Sequence, residues 1–157
     1  ISHLGVAVAL AGMATDTAFM KERLVAVSEG EATQVGPYTV RLLGVKPVIG
    51  PNWTALEATI EAQRGAGAVF TLHPQARNYS NPPTDTSEAA ISTRLDGQLY
   101  AVLGKQNDTG RWQLRLWWKP WVTLIWLGGA LIALGGALSL IGRLWRERRI
   151  AAEADHA

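Results

Sequence analysis

Residues Trp121 to Gly142 read WVTLIWLGGALIALGGALSLIG, an apolar run with no charge and no proline. As a helix at ~1.5 Å per residue it spans ~33 Å, enough for the ~30 Å hydrocarbon core of a bilayer. Arg143, Leu144, Trp145, Arg146, Glu147, Arg148 and Arg149 follow at once, while Lys119 stands alone beside the other end. The positive-inside bias then places the C-terminus in the cytoplasm and the segment before the helix across the membrane, in the periplasm of a Gram-negative bacterium. Trp117, Trp118 and Trp121 crowd one edge and Trp145 marks the other, as interfacial aromatics do.

The whole chain has 157 residues, a net charge of +2 and no cysteine. Without cysteine there is no disulfide staple, no thiol nucleophile and no thiolate metal ligand, so an exported domain must hold by packing alone. The pI near 9.2 invites a nucleic-acid reading. The middle, from Thr17 to Lys119, is nearly balanced, with eleven Lys and Arg against nine Asp and Glu. The basic excess lies in the juxtamembrane arginines, where topology accounts for it, and nucleic acid is set aside as a partner.

Ile1 to Thr15 (ISHLGVAVALAGMAT) is apolar apart from Ser2, His3 and Thr15, and Asp16 ends it. It has neither initiator Met nor basic n-region, which argues against a signal peptide, although the small residues before Asp16 resemble a cleavage site. As a helix it covers ~22 Å, short of a ~30 Å core. The simplest expectation is a transmembrane helix that continues upstream, in a C-terminal piece of a longer protein. Gly5, Ala9 and Gly12 share one face, open to close approach by a neighbouring helix, and Gly128, Gly135 and Gly142 with Ser139 form a matching stripe. His3, Ala7, Leu10 and Ala14 form another face.

An imidazole at membrane depth needs a partner. His3 lies ~20 Å along the helix from its charged end, too far to reach that surface. It reads as an axial haem ligand, a proton relay or a ligand to another metal. Two structural readings stand beside these: a helix–helix hydrogen bond, and a position at the cytoplasmic edge of the bilayer.

Past Met20 the pattern becomes strand-like. Tyr38 to Val45, Thr54 to Arg64, Ala68 to Leu72, Glu88 to Leu95, Gln98 to Leu103 and Arg111 to Trp117 read as strands separated by Gly-rich turns. His73 to Thr86 (HPQARNYSNPPTDT) reads as a long loop. The fold expected is a membrane protein of α + β class, with two transmembrane helices flanking an all-β domain, a small barrel of OB-like form or a sandwich. The segments are 1–16, 17–119, 120–142 and a cytoplasmic tail, 143–157. Trp53 after Gly50-Pro51-Asn52 is expected to cap the core. His73 with Arg77 and Tyr79 is a candidate contact, though an exposed loop histidine is the simpler reading. Arg41, Arg64, Arg77, Arg94, Arg111 and Arg115 suit carboxylates such as haem propionates, or simply solvated strand positions. No phosphate loop, HExxH, GxSxG or triad spacing is present.

The order of segments resembles the C-terminal portion of CcmF-type cytochrome c haem lyases and their relative NrfE. It rests on His3-Leu4-Gly5, Gly36-Pro37-Tyr38-Thr39, Gly50-Pro51-Asn52-Trp53-Thr54-Ala55, and Leu72-His73-Pro74 with Arg77 and Tyr79. Ser87-Glu88-Ala89-Ala90-Ile91, Leu99 to Gly104, and Lys119-Pro120-Trp121-Val122 before Ile125-Trp126-Leu127-Gly128-Gly129 complete it. The resemblance implies a polytopic inner-membrane enzyme that takes haem from a haem chaperone and joins it to the thiols of an apocytochrome c. It implies that His3 is one of two transmembrane ligands to a resident haem b, which is thought to reduce the incoming haem iron. Implied partners are the haem chaperone, apocytochrome c with its chaperone subunits, and the remaining helices of the lyase. The tryptophan-rich periplasmic segment and the second ligand are missing, so this piece alone is not expected to ligate haem. The alternative is a non-catalytic, membrane-tethered β-domain acting as an assembly scaffold.

Overall fold

Period-two alternation governs the polar middle of the chain and sorts its side chains between two sheet faces. The computed structural model describes residues 1–154, with side chains through Arg149; residues 155–157, the end of the expected tail, lie outside the described residues. In order the elements are α1 (Ser2–Phe19), β1 (Lys21–Val27), β2 (Ala32–Val35), β3 (Tyr38–Ile49), β4 (Trp53–Arg64), β5 (Phe70–Leu72), β6 (Gln75–Ser80), β7 (Pro83–Glu88), β8 (Ala90–Arg94), β9 (Gly97–Gln106), β10 (Trp112–Pro120) and α2 (Thr123–Ala154). They form two units, the strands from Phe19 to Pro120 and a helical unit that joins Ile1–Ala18 to the segment from Trp121 onward.

In the β unit, β1-β10-β9-β8 form a four-stranded sheet and β2-β3-β4-β6-β7 a larger one, with β5 also paired to β4. Every pairing is antiparallel. The small OB-like barrel anticipated from the turn pattern gives way to two open sheets, each ending at its own edge strands. One core lies between them. Leu99, Leu103, Leu114 and Leu116 from the smaller sheet meet Tyr38, Val40, Leu42 and Ile60 from the larger, all essentially solvent-free. Burying such a side chain contributes roughly 1.5–3 kcal/mol. No polar or charged residue is buried among the described residues, so hydrophobic packing alone holds the core, as a cysteine-free domain requires.

Two sequence expectations fail here, for physical reasons. The long loop at His73 to Thr86 is instead the end of one strand followed by a hairpin, β6–β7. Ile60 faces Leu72 and Glu57 faces Gln75 in a single register, so β5 and β6 are one strand interrupted at His73-Pro74. Pro74 is buried, and its carbonyl accepts from the Ala58 amide at 3.0 Å; lacking an N–H, it makes only that half of the pair. Trp118, expected at the membrane interface, is only 7% exposed and belongs to the core. Its ring lies 5.2 Å from that of Tyr38. Gly36, at φ 53°, presses against it so closely that an added Cβ would sit 2.5 Å from Trp118 Cδ1.

In the helical unit, α1 runs three residues past Asp16, to Phe19, and covers ~27 Å. Thr15 and Thr17 return their hydroxyls to backbone carbonyls one turn earlier, at 2.8 and 2.9 Å. The apolar run continues as α2 through Ala154, and Thr123–Arg149 is long and apolar enough to cross a membrane. The glycine stripes find each other. A Cβ on Gly5 would lie 2.7 Å from both Gly128 O and Ile132 N, and one on Gly12 would lie 2.8 Å from Ile125 N. Gly135 faces Ser2, whereas Gly142 borders open space. Backbone-to-backbone approach of this kind is what small residues permit between packed helices.

Candidate functional site

The helical unit divides α1 into a spent face and an open one. Gly5 and Gly12 are buried against α2, with Val8 and Ala9 beside them half-buried. His3, Ala7, Leu10 and Ala14 are all exposed on the remaining surface. His3 makes no hydrogen bond or ion pair among the described residues. Its neighbour one turn on, Ala7, leaves room above the ring for a group supplied from elsewhere. Of the structural readings of His3, a hydrogen bond to α2 is thereby removed: α2 packs on a different face. In the described part of the helical unit no second histidine, cysteine or acidic cluster completes a metal set.

In the β unit, the motifs that stand apart in sequence meet on one sheet face. Gly50-Pro51-Asn52 is the turn between β3 and β4, closed by the Gly50 amide donating to the Trp53 carbonyl at 2.8 Å. Register sets Trp53 opposite Tyr79, Ala55 opposite Arg77 and Glu57 opposite Gln75, and β7 continues the last row with Glu88. The Arg77 guanidinium lies under the Trp53 ring, 4.3 Å from its centroid. Arg77 Nε donates to Gln75 Oε1 at 2.8 Å, and Nη1 stands 3.5 Å from Glu88 Oε1. Gln75 in turn donates to Glu57 at 2.6 Å, and Lys46 pairs with the other Glu57 oxygen at 3.4 Å. The Gln75 hydrogen bond lowers the Glu57 pKa against a desolvation cost, helped by Lys46 and by the nearby His73. Trp53 is therefore a half-buried roof over Arg77 on the outer face, not a cap on the core.

His73 is exposed, as its simpler reading had it, while the buried Pro74 beside it fixes the strand. The six arginines considered for carboxylate binding are all engaged. Arg41 donates to Gly30 O at 2.6 Å, Arg64 pairs with Asp96, and Arg94 covers Phe70. Arg111 holds Glu31 at 2.8 Å and also the Ala26 carbonyl, and Arg115 holds Glu22 at 3.2 Å. Their charges stitch strands together. The pairing of Tyr79 with Trp53 and of Arg77 with Ala55 was hidden from the sequence because the intervening residues were read as loop. The tip of the β3–β4 hairpin stays accessible, with Ile49 84% exposed beside Trp53. The hairpin tip thus presents an aromatic roof over a cation that Glu88 and Gln75 also hold.

Comparison with known proteins follows the same lines. A family model described as the CcmF C-terminal beta-sandwich matches residues 18–120. The cytochrome c-type biogenesis protein CcmF of Escherichia coli is 37% identical over 147 residues, covering 94% of this chain and 23% of that protein. CcmF of Pseudomonas aeruginosa is 34% identical over 146 residues, covering 93% and 22%. NrfE of Haemophilus influenzae, also a cytochrome c-type biogenesis protein, is 28% identical over 142 residues, covering 90% and 22%. A solved structure of the cytochrome c heme lyase CcmF shares the fold, with a TM-score of 0.71 and 24% identity over 85% of this chain and 22% of that one. The chain thus spans less than a quarter of the length of these relatives.

Proposed function

The chain belongs to the CcmF family, whose C-terminal β-sandwich it carries, and from that premise we propose that it is the C-terminal part of a cytochrome c haem lyase. In this reading α1 and α2 cross the bacterial inner membrane, the β-sandwich stands in the periplasm, and the arginines after Gly142 face the cytoplasm. His3 would hold the iron of a haem b, with the second ligand supplied by the remaining polypeptide. The observation that carries this is the open face of α1: its glycines are used on α2, and its histidine is turned away from that contact. The donor chemistry fits, since an imidazole nitrogen is a haem-iron ligand and only the small Ala7 stands one turn on from it. The bound haem supplies a redox-active iron.

The β-sandwich contributes docking rather than chemistry. Its exposed Ile49 and the Trp53–Arg77 stack offer an aromatic, hydrogen-bonding contact to the haem chaperone or to apocytochrome c with its chaperone subunits. Attachment itself belongs to the assembled lyase, whose substrate brings the thiols.

The test is the visible spectrum of the full-length polypeptide, oxidised and reduced, with His3 intact and as His3→Ala. Sharp reduced b-type bands that vanish or turn high-spin in the variant are the expected result. Bands that survive unchanged overturn the ligand assignment and leave a tethered scaffold as the better account.

A further inference from the structure

Six of the seven arginines in the β unit are engaged, and the seventh, Arg23, is not. Among the described residues it makes no hydrogen bond, ion pair or ring contact. Its place is unusual for a free cation. Register sets Arg23 opposite the fully buried Leu116, so its side chain leaves β1 on the core side of the smaller sheet. β1 is an edge of that sheet and β2 an edge of the larger one, and Arg23 leans out between them. There it borders a groove of about 360 Å³ with Ala32, Thr33, Gln34 and Thr39. The Thr33 and Thr39 hydroxyls and the Gln34 amide have no partner among the described residues either. Alternation adds a backbone donor. Val35 and Tyr38 flank a two-residue turn, and Leu42 N–H donates to the Glu31 carbonyl at 3.2 Å, so the odd-numbered residues of β2 bond to β3. The Gln34 N–H therefore points off the sheet edge. No acid lines the groove. The acids of the neighbouring turn are spent, Glu31 on Arg111 at 2.8 Å and Glu29 on the Val45 amide at 3.3 Å.

We propose that the groove between β1 and β2 binds a carboxylate, with Arg23 gripping both oxygens and Gln34 and Thr39, paired across β2 and β3, donating to them from the other side. A guanidinium is a flat fork of N–H donors that matches the two oxygens of a carboxylate, and its single charge matches a monoanion. Amide and hydroxyl donors around it suit the remaining lone pairs. A charge turned inward at a sheet edge also discourages edge-to-edge pairing, but lysine performs that task as well as arginine does. Only an anion uses the fork together with the free donors beside it. The site lies wholly within the β unit and is independent of any ligand at His3.

The test is a titration of the full chain in zwitterionic nanodiscs with sodium acetate against sodium chloride at fixed ionic strength, read by NMR of the side-chain nitrogens. Arg23 Nε and the Gln34 amide are expected to shift together and saturate with one midpoint. Arg23→Lys, which keeps the charge and loses the fork, should weaken binding about tenfold. Arg94→Lys, at the opposite edge of the smaller sheet, should leave the midpoint unchanged. Arg23 is exposed, so the variant keeps the fold, and circular dichroism checks it. A response that never saturates, one that chloride reproduces, or an unchanged midpoint in Arg23→Lys overturns the site. Inorganic phosphate binding more tightly than acetate overturns the carboxylate assignment. A capped acidic tripeptide then identifies the source: binding tighter than acetate supports a carboxylate carried on a polypeptide, and binding weaker than acetate supports a free acid.

Discussion

Replacing Trp118 by Ala should strongly destabilise the β unit, while the same change at its neighbour Trp117 should cost little. Trp118 is 7% exposed, its ring is 5.2 Å from Tyr38, and the Arg64 guanidinium lies 5.7 Å above it. Truncating a buried tryptophan removes about 3–5 kcal/mol through lost transfer and cavity formation. The aromatic pair adds about 0.5–1.5 kcal/mol and the cation–π contact about 0.5–1 kcal/mol. These contributions overlap, because the cavity already counts lost contacts with Tyr38, so about 4–5 kcal/mol is the working figure. For a domain near 100 residues whose total stability is about 5–15 kcal/mol, that lowers Tm by some 20 °C or more. Trp117 faces outward and loses chiefly its contact with Arg115, about 1 kcal/mol or less. Urea unfolding of the full chain in nanodiscs, followed by the strand signal in circular dichroism, measures both. If Trp118→Ala falls within 1 kcal/mol of Trp117→Ala, the assignment of the two rings to opposite faces is wrong.

Two further outcomes test other parts of the argument. Gly5→Leu should push the helices of the hairpin apart by ~2 Å, since the added side chain meets Gly128 and Ile132 backbone; Gly136→Leu, which points into open space, should change nothing. Distances between spin labels at Leu10 and Leu134 read the difference. The carboxyls of Glu31 and Glu57 are held below their usual range, Glu31 first by the Ser28 amide and then by Arg111, Glu57 first by Gln75 and then by Lys46. A depressed pKa in the folded state means stability that is present above the unfolded value and lost as pH falls through the folded one. Unfolding free energy should therefore drop below about pH 4, and Glu57→Gln, already deprived of its charge, should show a shallower acid limb than the parent.

The long apolar run of α2 and six of the ten strands were legible because long apolar runs and period-two alternation are local signals, whereas β1, β2, β6 and β7 were not. Leu114, Leu116 and Trp118 even carried the answer that was missed: they alternate with Gln113, Arg115 and Trp117, and consistent use of that alternation turns Trp118 inward. The cluster of tryptophans beside a long apolar run outweighed that alternation. His73 to Thr86 misled for a different reason. Its prolines lie where a strand can tolerate them, at the buried interruption between β5 and β6 and at the end of an edge strand, and a single sequence does not show which donors a proline leaves unneeded. The stack of Arg77 under Trp53 was out of reach for the same reason, since it depends on the register of strands read as a loop. His3 was the opposite case: its type and helical face were plain from spacing, and the structure adds which of the faces of α1 is already taken.

Lys21 lies directly opposite Trp118, so the first and last strands of the sandwich are neighbours and the chain enters and leaves it at one spot. Antiparallel partners sit about 5 Å apart at their Cα atoms, a gap that one or two residues close. The sandwich is in effect an insertion whose two ends share a single doorway. Such an insertion can be enlarged, exchanged or cut out without drawing its two ends apart, at almost no topological cost.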